Sequence, residues 1–483
     1  MCPALVPVCA AAVPASSPSP AGDAVQWFSV PVSVEGLPAG SRFVPVSCPV
    51  DFSGILSDLN VPGAADERTL RLDWLSADGK GVEQPVQFVA FVQPRPKRRR
   101  LLPGTTEKVS YLAEHEAGRT PPGVKVAGTL TWIVRGAAEG SARYRLRFGV
   151  PRGGRLIQVP YPPHNLRGFD ADGRATAVRW FPRMQVRPLR PLGGVLHVRE
   201  SNEPVTSYHV GPAREQLSQP AVGVRRPFLY PVNGPDGVSL TELGKPHDPR
   251  GTHAHHYSLW IAHASVAGQD FWSERGGLIV HDGFESIEDG PVFCRLVHKT
   301  RWVGGGKALL RGRRSLTFYR SAGDFRLVDV DLELAPAGPA PVTLGKTPFG
   351  FLAVRVAGSM TVFDGGGEIL NARGDRNEQG AHRKRAAWID LSGPIAPGKW
   401  GGIAVLDHPG NPDHPTRWHC RNDGWAGASV CMDRPRTIKP PEPLKLLYRL
   451  HLHRHSAEKA QVARRYEEYR ASPVVRLGRP QKQ

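Results

Sequence analysis

From Val25 to about Val150 the chain alternates apolar and polar side chains in steps of two, as in Arg143-Tyr144-Arg145-Leu146-Arg147-Phe148. Successive side chains of a strand point to opposite faces, so this text predicts strands with one buried face. Thr69–Leu75, Val86–Val92 and Gly128–Val134 read the same way, and together they predict a small β-sandwich. Residues 95–122 between them are charged, contain Gly and Pro and lack a pattern, which predicts a long loop. From Arg225 onward strand text recurs at Gly277–His281, Val292–Trp302, Arg313–Tyr319, Asp324–Leu334, Gly350–Val356 and Trp400–Asp407, the spacing of a large antiparallel sandwich. Gly304-Gly305-Gly306 and Gly365-Gly366-Gly367 fall between strands as hairpin turns, without the helix start that a phosphate-cradling loop needs.

One helix is expected, capped by Ser456 and running to Arg470 with Glu458 in its first turn. Val462, Tyr466 and Tyr469 share a face and read as a packing stripe. The expected organisation is therefore a leader at 1–24, a small sandwich at 25–150, a connector with the first strands of the next sheet at 151–222, a large sandwich at 223–471, and a frayed tail at 472–483. The fold class is all-β.

Composition agrees: 483 residues exceed one ordinary core, and 53 Gly with 47 Pro favour many turns over long helices. The formal net charge of +19 comes mostly from arginines scattered through strand text. Only Arg95-Pro96-Lys97-Arg98-Arg99-Arg100 forms a run; with no aromatic residues interleaved it reads as a solvated loop, and a nucleic-acid partner is not expected. Six cysteines form no CxxC pair. Cys420 and Cys431 could close a loop by a disulfide in an exported protein, or could be two buried thiols. Leu5–Val13 reads as the remnant of a signal core, so a secreted or cell-envelope protein is expected, with a cytoplasmic one as the alternative. After residue 24 no run of eighteen apolar residues offers a membrane-spanning helix.

Seven of the 18 histidines lie in Thr252–His263 and Asp407–His419. Imidazole moves protons near neutral pH and ligates metals, so these segments carry the candidate chemistry. In an extended chain His253 and His255 would face one way and His256 the other, whereas a turn would bring all three together. Pro409, Pro412 and Pro415 stiffen the second segment and would hold His408, His414, Arg417 and His419 in fixed relation. For any one histidine a hydrogen-bonded loop position is the alternative, and the Pro-rich loop could be merely a stiff connection. His253, His255 and His256, with Asp407, Glu285 and Asp282, could ligate a divalent metal, but the spacing matches no HExxH helix and no finger; proton transfer by unliganded imidazole is preferred, and no cofactor is assigned. No GxSxG is present.

The blocks His253-Ala254-His255-His256, Asp270-Phe271-Trp272 and Ile279-Val280-His281 resemble those of the PmoA-like family, as do Gly350–Val356, Ala387–Pro394 and the Asp407–His419 loop. The resemblance covers about Arg225 to Tyr469. It implies a supersandwich of the sugar epimerase and polysaccharide lyase type. The family name points to methane oxidation, which would require membrane-spanning helices that this chain lacks, so that activity is set aside. Tyr257, Phe349 and the stretch from Gly380 to Arg383 depart from the family pattern; Phe349 stands where the family often has a Glu.

The leading expectation is a carbohydrate-active lyase or hydrolase. His255, His256, His281, His414 and His419 would act as acids and bases, Glu285, Asp407 and Arg417 would hold polar groups, and Trp260, Trp272 and Trp418 would stack on sugar rings. A non-catalytic carbohydrate-binding or scaffold protein is the second reading, and a basic nucleic-acid binder the third.

Overall fold

The structure, a computed structural model, describes residues 25–90, 99–101, 108–110, 125–134, 136–137, 139–152, 167–169, 175–177, 184–188, 194–211, 224–244, 253–273 and 275–483. The leader at 1–24, residues 95–98 of the basic run, much of the connector, and Cys2 and Cys9 lie outside them. Every strand pairing among the described residues is antiparallel. The protein is all-β with a small sandwich, a large one and a C-terminal helix.

The small sandwich packs a sheet of Val25–Glu35, Asp66–Leu75, Gly81–Gln84 and Ala142–Pro151 on a three-stranded sheet of Val44–Asp51, Val86–Ala90 and Ala127–Val134. Its core holds Phe28, Trp132, Tyr144 and Phe148, the apolar half of the alternation, and Phe52 from the short helix Phe52–Asp58. The tail does not fray. Val474–Leu477 and Gln481–Lys482 both pair with Val25–Glu35, and Val475 and Leu477 lean on that core, so the end of the chain completes the first sheet. Short apolar-polar text of this kind forms a strand only when an edge is available to receive it. Removing residues 472–483 is expected to destabilise the small sandwich by about 1–3 kcal/mol, the worth of two partly buried aliphatic side chains and their ladder. A urea melt in which its transition does not shift would contradict this.

The large sandwich begins at Met184–Pro188, within the segment expected to hold the connector and the first strands of this sheet. Its first sheet runs Met184–Pro188, Val195–Glu200, Glu203–His209, Phe228–Val232, Leu259–His263, Gly350–Arg355, Trp425–Ala428, Trp418–Arg421. Its second runs Gly277–Glu288, Phe293–Gly304, Lys307–Tyr319, Phe325–Pro336, Leu444–Arg454, Lys399–Asp407, Trp388–Ala396, Glu368–Asn371. Both supply one core that includes Trp260, Ile261 and Leu352 from the first sheet and Leu316, Val330, Leu332 and Leu450 from the second. Gly305 and Gly306, at φ 56° and 74°, make the tight turn between Phe293–Gly304 and Lys307–Tyr319, a backbone only glycine adopts freely.

The helix spans Val462–Arg470, starting six residues beyond Ser456 because Ala457–Gln461 form turns instead. Val462 and Tyr466 pack with Leu370, Trp388, Ala404 and Leu406, and Tyr469 adds to that contact, on the face of the second sheet turned away from the main core. The two sandwiches meet through Phe43 and Ile133 on one side and Val292, Phe293 and Leu327 on the other. Gln87 Oε1 accepts hydrogen bonds from the Val292 and Phe293 amides at 3.3 and 3.1 Å. Cys420 and Cys431 are buried free thiols, not a disulfide.

Candidate functional site

His253–His256 is a turn, closed by the His256 amide donating to the His253 carbonyl at 2.9 Å. The alternation of an extended chain is lost, and the three imidazoles gather, with ring centres 4.6 Å apart for His255 and His256, 4.9 Å for His253 and His256 and 6.4 Å for His253 and His255. His256 stacks on Trp260, 5.0 Å away, at the start of the adjoining strand.

From two strands along the same sheet, beyond Gly350–Arg355, Trp425 reaches His256 at 5.1 Å. His419, on the neighbouring strand, lies 4.4 Å from Trp425. Phe349 and His382 flank His419 at 5.1 and 4.7 Å, and Phe349 also meets Trp272 at 5.7 Å. The first histidine segment and the last residue of the second therefore converge on Trp425. Trp260, Trp272 and Trp425 are 1%, 3% and 3% exposed, too buried to stack on a ligand; they hold the imidazoles in place. Half-buried His253, His255, His382 and Phe349 form the accessible face.

Two buried arginines lie beneath. Arg226 donates to the Trp272 carbonyl at 2.6 Å and sits over the Tyr257 ring. Arg355 donates to the Asp423 carbonyl at 3.0 Å and to His256 Nδ1 at 3.2 Å. Guanidinium is always a donor, so His256 Nδ1 is the acceptor and its ring proton sits on Nε2. Burial, then Arg226 and His253, push His255 down to about 4, against an opposing pull from Asp270. Burial and His382 push His419 down to about 3. Burial with His255 and Arg355 holds His256 well below its ordinary range. At neutral pH these three rings are uncharged. His253 Nε2 faces Asp423 at 3.4 Å.

The remaining expected residues fall elsewhere. His414 Nδ1 binds Asp407 at 2.8 Å and its Nε2 meets Tyr466 at 3.1 Å, so it ties the Pro-rich loop to the helix. Asp407 is fully buried and also accepts from Asn411 and the Thr416 amide, which makes it the anchor of that loop rather than a substrate group. Arg417 pairs with Asp433 and donates to the Arg383 carbonyl. Trp418 is 0% exposed and donates to the Ala386 carbonyl, a core position. His281 is buried among Tyr208, Phe284 and His298. Glu285 is exposed and paired with Arg313. The physical reason is common to all: strand alternation and loop closure aim these side chains at local partners.

Among the described residues no group of three or more His, Cys, Asp or Glu side chains could hold a metal ion. His256, with a proton on Nε2 and Arg355 on Nδ1, has no lone pair to give one. Trp425, His382, Arg226, Arg355 and Asp423 were not expected from sequence. Asp423-Gly424 between Cys420 and Trp425 is a hairpin signal that could have placed Trp425 beside His419. A cavity of about 490 Å³ lies elsewhere, where the small sandwich meets the second sheet and helix.

The chain has structural similarity to a glycosyl hydrolase family 38 protein from Enterococcus faecalis, with a TM-score of 0.36 and 9% identity over 93% of this chain and 47% of that one. An alpha-mannosidase from Enterococcus faecalis V583 gives 0.35 and 9% over 93% and 46%. The chain thus spans about half the length of these solved structures. No curated protein matches. A family model described as a family of unknown function (DUF6807) matches residues 196–467, more than half of the chain, and the chain belongs to that family.

Proposed function

We propose that this is a carbohydrate-active, PmoA-like protein that binds an acidic sugar at the His253–His256 turn and moves protons on it. The observation that carries the reading is the convergence of uncharged imidazoles from two distant segments around Trp425 above buried Arg226 and Arg355. An uncharged imidazole can take one proton and give another, and His256 presents Nε2–H as a donor. The half-buried rings of Phe349 and His382 suit the apolar face of a sugar. Arg226 and Arg355 supply positive charge for a uronate, part of it offset by Glu242, which pairs with Arg355 at 3.6 Å, and a bound carboxylate would in turn raise the basicity of the imidazoles. Elimination or epimerisation beside a carboxylate fits this set better than hydrolysis by a pair of acids. The nearby carboxylates already have partners: Asp423 faces His253, Glu242 accepts from the Gly358 amide, and Asp270 accepts from the Trp272 and Ser273 amides.

Polyuronates incubated with the full chain should yield unsaturated or epimerised products. His255→Ala and His419→Ala should each cut turnover by roughly 100-fold or more while the circular dichroism spectrum is kept, with His408→Ala as an unaffected control. Full turnover in both variants would refute the proton-transfer role. A second reading, binding without chemistry, is favoured by Phe349, an apolar ring at the edge of the cluster. It expects polyuronate binding that weakens in His255→Ala, with no product from the unaltered protein.

A further inference from the structure

The strand Leu444–Arg454 lies between Phe325–Pro336 and Lys399–Asp407 in the second large sheet. Alternation sends Leu450 and Leu452 into the main core and His451 and His453 to the opposite face, toward the small sandwich and the helix. His453 is fixed from both sides: Nε2 meets Asp390 at 2.7 Å and Nδ1 the Arg454 carbonyl at 3.0 Å. Its cross-strand partner is Gly402, where a Cβ would come 2.3 Å from the ring, so glycine makes the room this histidine needs.

His451 differs. It is 0% exposed, 4.9 Å from His453 and edge-on to Phe325, yet neither ring nitrogen has a protein hydrogen-bond partner. A buried neutral imidazole with an unmet donor and an unmet acceptor forfeits its hydration at both nitrogens with nothing in return, and such a group calls for a reason. His451 lines the cavity of about 490 Å³, a size that takes a compact metabolite.

The walls of that cavity are cationic. Arg454 is matched by Asp236 and Asp324, and Arg465 by Glu468. Arg42 and Lys459, both exposed at the rim, have no ion-pair partner among the described residues, so the cavity keeps a positive excess. Arg42 comes from the small sandwich, Lys459 from the turn before the helix. The rim is therefore assembled by the meeting of two units.

We propose that this cavity binds a small phosphate monoester, its phosphate between Arg42 and Lys459 and its body reaching His451. Phosphate offers several acceptor oxygens to cations arriving from different directions, and hydroxyls on the body can both donate to and accept from the ring of His451. The site is independent of the histidine cluster around Trp425, which belongs to the first large sheet.

Calorimetric titration of the full chain with glucose 6-phosphate, inorganic phosphate and glucose tests this. Glucose 6-phosphate should bind with Kd at or below about 1 mM, inorganic phosphate more weakly, and glucose not measurably. The double variant Arg42→Ala/Lys459→Ala, altered only at exposed positions, should lose at least about tenfold, and His451→Phe should weaken glucose 6-phosphate more than inorganic phosphate. His255→Ala should leave this binding unchanged, which separates it from the sugar site. No binding of either phosphate, equal binding of glucose, or undiminished binding in the double variant would overturn the proposal.

Discussion

Acidification from about pH 6.5 to about pH 5 is expected to cost this protein several kcal/mol of stability, through histidines that fold uncharged. His256, His298 and His451 are each buried, and burial is the first cause holding each well below the ordinary value of 6.5. In the unfolded chain the same rings take up a proton near that value. Below it the unfolded state binds more protons than the folded one, so stability falls as pH falls, and it is unaffected by these groups above it. Each ring contributes up to about 1.4 kcal/mol per pH unit, so the three together reach about 4 kcal/mol per unit. Total stabilities of 5–15 kcal/mol are typical, and this slope would dominate the acid limb. Urea midpoints across that range measure it. His451→Phe keeps an aromatic ring without the titrating group and should reduce the slope by up to about 1.4 kcal/mol per pH unit. A midpoint that stays flat down to about pH 5 would show that these rings are protonated in the folded state.

Asp407→Ala is expected to destabilise the large sandwich by about 3–5 kcal/mol. The carboxylate, 0% exposed, accepts from Asn411 Nδ2 at 2.7 Å, from His414 Nδ1 at 2.8 Å and from the Thr416 amide at 2.9 Å. Its loss leaves buried donors unmet and frees His414, which carries the contact to Tyr466 on the helix. The helix should therefore loosen along with the loop. Glu285→Ala, which removes an exposed pair with Arg313, should cost under about 1 kcal/mol. Similar urea midpoints for the two variants would show that the buried carboxylate does not organise the loop.

Much of the strand content was legible because alternation is a local property. The expected strand Asp324–Leu334 appears as Phe325–Pro336 and Val292–Trp302 as Phe293–Gly304. The helix start was misplaced because Ser456 looks like a cap whatever follows it, whereas the backbone turns through Ala457–Gln461 and enters the helix from Gln461 at φ 55°. The tail was misread because Val474–Leu477 has too little apolar text to announce a strand, and only the edge of Val25–Glu35 makes it one. In the candidate site the density of histidine in His253–His256 was visible, but its partners were not. Trp425 and His382 are single residues with no local signal of proximity to it.

The amino-acid sequence by itself determined which faces of the strands are buried, that the fold is all-β, and where imidazole is concentrated, since each follows from the order of side chains along a short stretch. Only the tertiary structure decided which histidines work together. His419 joins His256 through Trp425, while His414, five residues earlier, turns to Asp407 and the helix, and His281 sinks beside His298. Those partnerships depend on pairing and register between strands far apart in the chain, set by the burial of a shared core rather than by any neighbouring residue.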